Sequence, residues 1–135
     1  METTTDRGAP TLSKSQTVFK QAEKSSLRDK DSALELYDEV IALCRDAIDL
    51  HYERAKLYFL IGRACYELED KENARQAFES ALAFETDSTH IRYELALTCV
   101  DLEDDNAAVR EFERLLLLKQ YDLNDEDLQT KRANG

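Results

Sequence analysis

At 135 residues the chain has room for one domain, and its 42% hydrophobic content is enough to form a core. A net charge of −11 and a pI near 4.6 argue against nucleic-acid binding without a local basic patch, and against anionic membranes. Three Gly and one Pro leave few turns of the β type, so the expected fold is all-α.

Residues 1–12 are polar, hold the sole proline, Pro10, and read as a disordered tail. They lack the apolar stretch of a secretory signal. Nothing later is long and apolar enough to span a bilayer, the run Leu115 to Leu118 included. A first helix is expected to start at Ser13 or Ser15, either of which can cap it. Val18, Phe19, Ala22 and Leu27 give it a thin apolar stripe, and the Lys30-Asp31-Ser32 turn ends it.

The second helix, Ser32 to Leu50, is strongly periodic, with Ala33, Leu36, Tyr37, Val40, Ile41, Cys44, Ala47 and Ile48 on one side. Helix three is expected over Tyr52 to Leu68. Helix four spans Lys71 to Phe84 behind an Asp70 cap, and helix five runs from Asp87 or Ser88 to Leu102. Helix six spans Asn106 to Lys119 behind Asp104 or Asp105. Asn124 could then cap a short helix, Asp125 to Lys131, with Leu128 folding back and residues 133–135 frayed.

Within this string one unit is written twice, 34 residues apart. Ile61 pairs with Leu95, Gly62 with Ala96, Cys65 with Cys99, Leu68 with Leu102 and Asp70 with Asp104. Ala74 pairs with Ala108, Phe78 with Phe112, Glu79 with Glu113 and Ala81 with Leu115. A fixed period of this length marks a helical repeat array. Gly62 and Ala96 allow a partner helix to approach closely, and Phe78 and Phe112 fill space between neighbouring pairs. No such unit buries its apolar face alone, so the copies must stack.

The unit resembles the tetratricopeptide repeat. In the first copy the resemblance rests on Tyr58, Ile61, Gly62, Cys65, Ala74, Phe78 and Ala81. In the second it rests on Leu95, Ala96, Cys99, Ala108, Phe112 and Leu115. Arg92 stands where the family prefers an aromatic and Thr86 where it prefers proline. The resemblance implies a right-handed superhelical array of antiparallel helix pairs. On this reading residues 13–122 form the repeat domain: 13–54 a degenerate copy, 55–88 and 89–122 the two clear ones, and 123–135 a short capping helix and tail. The degenerate copy fits the pattern in two registers, one using Ala33, Tyr37 and Val40 and the other Val40, Cys44 and Ala47.

Residues for bond chemistry are sparse. His51 and His90 are the only histidines, with no second ligand at metal spacing. The three cysteines lack C-x-x-C spacing, which argues against a disulfide framework and a zinc site and suits a reducing cytoplasm. Cys65 and Cys99 share one repeat slot, and Cys44 lies on the inner face of helix two, so all three read as small core residues. The acidic groups at 67–70, 103–105 and 125–127 sit at turns and lack the spacing and glycine of a calcium loop. No phosphate-binding glycine loop or nucleophile motif is present, so neither enzymatic activity nor a cofactor is expected.

A binding surface remains. In the family the first helix of each pair lines a concave groove for a peptide or partner helix. Lys56, Phe59, Arg63 and Tyr66 form one stripe on helix three, and His90, Tyr93, Leu97 and Val100 the matching stripe on helix five. Aromatics beside cations suit a protein segment with apolar and acidic side chains. Neither helix carries the asparagine with which some family members clamp a carboxylate tail, so that activity is not expected. The competing reading is a homodimer or assembly subunit joined through the thin first helix and the Leu115 to Leu118 run.

Overall fold

The computed structural model describes residues 4–49 and 53–134, with side chains described for 9–49 and 53–119. Among these residues there are six helices: α1 (Thr4–Ser25), α2 (Lys30–Asp49), α3 (Arg54–Glu67), α4 (Lys71–Phe84), α5 (Thr89–Asp101) and α6 (Asp105–Asn134). No strand occurs among the described residues. The helices form two compact units that part between Thr86 and Asp87, α1–α4 in the first and α5–α6 in the second. Packing follows the pairs α1 with α2, α3 with α4 and α5 with α6, as expected of a helical repeat array.

The two clear copies turn their corners in the same way. After α3 the backbone N–H of Asp70 donates to the Cys65 carbonyl at 2.9 Å, and that of Glu69 to Tyr66 at 3.1 Å. After α5 the N–H of Asp104 donates to Cys99 at 3.0 Å and that of Glu103 to Val100 at 3.0 Å. This paired closure is the Schellman motif, which places one residue in the left-handed region. Glu69 (φ 63°) and Glu103 (φ 58°) occupy that position where glycine is preferred. Each turn then hands over to a cap. Asp70 Oδ1 accepts from the Asn73 N–H at 3.3 Å, and Asp104 Oδ1 from the Ala107 N–H at 3.2 Å. Ser88 Oγ opens α5 by accepting from the Ile91 N–H at 3.3 Å. Each cap satisfies a donor that the first turn leaves open.

The core of the first unit is built on small residues against large ones. Phe78 is fully buried, with Ala64, Ala74 and Ala81 also at zero exposure. A Cβ on Gly62 would stand 2.5 Å from the Phe78 ring, so the ring lies against bare backbone there. In the second unit Ile91, Leu95, Ala96, Cys99, Ala107, Ala108 and Leu115 are buried. Phe112 differs from Phe78 in being only half-buried.

Four expectations are corrected. The first helix starts at Thr4, so residues 4–12 are helical rather than a disordered tail, and neither Ser13 nor Ser15 is its cap. Leu12 explains the extension: it is buried and prolongs the inner face of Ser15, Val18, Phe19 and Ala22 by another turn. Ser15 is a mid-helix residue whose hydroxyl donates back to the Thr11 carbonyl at 2.7 Å. Leu27 leaves the apolar stripe, at 87% exposure in the turn. The α1–α2 turn precedes Lys30 and is organised by Asp29. Its carboxylate accepts from the Asp31 N–H at 3.1 Å and the Ser32 hydroxyl at 2.6 Å. These bonds, Ser32's first, hold the Asp29 carboxyl below its ordinary range. Finally, α6 continues to Asn134 instead of breaking for a separate capping helix, because residues 105–134 contain neither Gly nor Pro. The side chains of Asn124 and Leu128 lie outside the described set, as does His51.

Asp29 also fixes the register of the degenerate copy. The Ala33 N–H donates to the Asp29 carbonyl at 3.2 Å, as the Ala74 N–H does to Asp70 at 3.0 Å. Ala33, Tyr37 and Val40 thus stand in the slots of Ala74, Phe78 and Ala81. Cys44 and Ala47 continue the same buried face along a longer helix.

Candidate functional site

The α3 stripe is engaged within the first unit. The Arg63 guanidinium lies 4.6 Å from the Phe19 ring centre and 6.0 Å from that of Phe59. Its Nη2 is 3.8 Å from Glu23 Oε2 on α1. Phe59 also packs on Phe78 of α4, ring centres 5.7 Å apart. Lys71 Nζ sits 3.2 Å over the Tyr66 ring, and Lys56 pairs with Glu53 at 3.3 Å in the open. Such exposed ion pairs contribute little, whereas cation–π stacking of Arg63 on Phe19 adds to the α1–α3 contact.

The α5 stripe is more open. His90 is exposed, Tyr93 and Val100 are each 48% exposed, and Leu97 is half-buried. This helix carries apolar residues around its circumference: Ile91, Leu95 and Cys99 inward, Tyr93 and Val100 outward. A water-facing helix ordinarily confines them to one side.

The second unit also holds a groove of about 640 Å³ between the start of α5 and the middle of α6. His90 and Tyr93 form one wall, and Phe112, Leu116 and Lys119 the other. The sequence reading gave the Leu115 to Leu118 run to self-association and did not join it to the α5 stripe in one groove. The signal was present in the Leu115 to Leu118 run: Leu115 is buried, Leu116 is 65% and Leu117 51% exposed. A second cavity, of about 500 Å³, lies in the first unit beside Arg45, Tyr58, Asn73 and Gln76. Its charged wall residues, Arg45 and Asp49, face solvent, so no desolvated charge marks it as a ligand pocket.

The departure at Arg92 has a local explanation. Arg92 Nη1 donates to Glu111 Oε2 at 2.6 Å, with side-chain exposures of 11% and 22%. In the first copy the matching positions are Tyr58 and Ala77, and Tyr58 stacks on Phe84 with ring centres 5.9 Å apart. An ion pair thus ties α5 to α6 where an aromatic contact ties α3 to α4.

All three cysteines are buried and none is in a disulfide. Burial pushes Cys44 up to about 11, partly opposed by its hydrogen bond with Ser15, and burial also raises Cys65. Such thiols stay protonated near neutrality and are poor nucleophiles. Among the described residues no three His, Cys, Asp or Glu side chains converge to hold a metal, and no helix is long and apolar enough to cross a membrane.

Among curated proteins none matches the chain. Residues 55–87 match the family model described as Tetratricopeptide repeat. That span covers α3, its turn, its Asp70 cap and α4. The same turn and cap recur at Glu103 and Asp104, 34 residues on. Residues 55–87 are thus similar to a tetratricopeptide repeat and are followed by an in-phase second copy; helical pairs of this kind serve in general as protein-interaction modules.

Proposed function

We propose that this protein is a non-catalytic adaptor that holds a peptide or helical segment of another protein along the first helices of its repeats. The observation that carries this is the exposure of Tyr93 and Val100 on α5, at 48% each. Large apolar side chains held in water on a rigid helix are the usual makings of a partner surface. With His90 and Leu97 they form the main contact. Lys56, Phe59, Arg63 and Tyr66 on α3 are a lesser one, since their side chains already have partners. The partner segment carries apolar anchors and carboxylates. The work is done in a reducing cytoplasm, which suits three buried cysteines outside any disulfide.

The test is a displayed library of natural protein fragments selected on the full chain. Enriched binders are then measured against Tyr93→Ala, Val100→Glu and Arg63→Glu. Tyr93→Ala and Val100→Glu are expected to weaken binding about tenfold or more, and Arg63→Glu less. Folded variants that bind as well as the parent refute the assignment. A second reading, self-association, draws on Leu116 and Leu117, which stand open on α6. Sedimentation across a concentration series decides it: a monomer at high concentration removes it.

A further inference from the structure

We propose that the groove between α5 and α6 receives an amphipathic α-helix from a protein partner, apolar along one stripe and flanked by carboxylates. This rests on the protein-binding reading above and shares His90 and Tyr93 with it, but adds the α6 wall of Phe112, Leu116 and Lys119 in place of Leu97 and Val100.

The repeat itself indicates the shape of the occupant. The groove residues have counterparts 34 positions earlier: Tyr93 in Phe59, Phe112 in Phe78, Leu116 in Leu82. In the first copy Phe78 is fully buried and Leu82 is 8% exposed. In the second, Phe112 is half-buried and Leu116 is 65% exposed. One face is closed and its copy is open, although the sequence keeps both apolar. In a repeat array this face exists to take the next helix. The α6 wall from Phe112 to Lys119 is about 10 Å long at the helical rise, enough for two turns of a helix laid along it.

Charge selects the flanks of the occupant. His90 and Lys119 border the groove, in a chain whose net charge is −11. A helix with Glu or Asp beside its apolar stripe meets Lys119 favourably. A second copy of this chain is disfavoured, because the contact brings two strongly acidic bodies, each of net charge −11, together.

Two fluorescent helical peptides test this on the full chain. They share one apolar stripe at every third or fourth position and differ only in flanking Glu or Lys. By fluorescence anisotropy, the Glu-flanked peptide is expected to bind about tenfold tighter than its Lys-flanked twin. Leu116→Glu weakens it at least about tenfold, Lys119→Glu reverses the preference, and Val100→Glu leaves it unchanged. Circular dichroism confirms that each variant is helical. Equal binding of the two peptides, or binding of neither, overturns the proposal. So does a loss with Val100→Glu but not Leu116→Glu, which leaves the α5-stripe reading standing. A dimer that Leu116→Glu abolishes in sedimentation overturns it as well, and gives the groove to a second copy.

Discussion

The hairpins α3–α4 and α5–α6 share a turn and a cap but fill their interiors differently. In the first, Gly62 leaves room for Phe78 to lie on the backbone, and the ring is fully buried. In the second, Ala96 places a methyl in that slot, and Phe112 lies half-buried in the wall of a groove. In the first, Tyr58 stacks on Phe84; in the second, Arg92 and Glu111 form an ion pair. Backbone rules at the corners hold across both copies, whereas the interior tolerates substitutions that shift a hairpin from self-contained packing toward an open apolar surface.

The most direct way to break this contrast is Gly62→Ala. The new methyl meets three atoms of the Phe78 ring at 2.5–2.9 Å, so the ring must move. Overpacking is expected to lower stability by about 3 kcal/mol, less the small helix-propensity gain of alanine. The reverse change, Ala96→Gly, should cost only about 1 kcal/mol. Urea unfolding measures both. Equal costs at the two sites would mean that Phe78 does not depend on the missing Cβ.

Titration separates the units next. Cys44 is pushed from 9.0 up to about 11 in the folded state by burial. The buried thiol favours the protonated form, so its contribution is fully present below pH 9 and is lost as pH rises through about 11. Relative to Cys44→Ala, the parent should lose roughly 2.5 kcal/mol across that window. Tyr37, raised chiefly by burial, moves in the same direction, and the Cys44→Ala reference cancels it. A parent and variant that track each other from pH 8 to 11.5 would place the thiol in contact with water.

The ion pair comes third. Glu111→Ala leaves Arg92 in a site where its side chain is 11% exposed, and should cost about 2 kcal/mol. Arg92→Tyr combined with Glu111→Ala transplants the Tyr58–Ala77 pair and should recover most of that loss. Failure of the double variant to recover would show that the second hairpin is shaped around the ion pair and not merely tolerant of it.

These contrasts also mark what the sequence could disclose. Asp70, Ser88 and Asp104 were readable as caps because capping is local: one side chain, three residues, one open N–H. The spacing from Gly62 to Phe78 was readable because it recurs. The start of α1 was not. Pro10 and a polar surround point to a tail, and only the burial of Leu12 shows that the helix face continues. The length of α6 is a matter of absent breakers, a weaker signal than a positive cap. The stripe on α3 was legible as a stripe, but its use was not, since Phe19 and Glu23 reach Arg63 from a helix some forty residues away in sequence. The α5–α6 groove needs both helices in place before Tyr93, Phe112 and Leu116 converge.

The smallest expected effect tests the similarity of the hairpins instead of their difference. Glu69 and Glu103 both sit at positive φ, 63° and 58°, in matching Schellman turns. A side chain there costs about 1 kcal/mol, part of which glycine gives back through its greater freedom in the unfolded chain. Glu69→Gly and Glu103→Gly should therefore each raise stability by about 0.5 kcal/mol, and the double variant by their sum, since the turns share no partner. Thermal unfolding of the two single variants and the double one is the measurement. A gain at one turn and a loss at the other would mean that one glutamate side chain holds its turn closed, and the two corners would then be alike in backbone only.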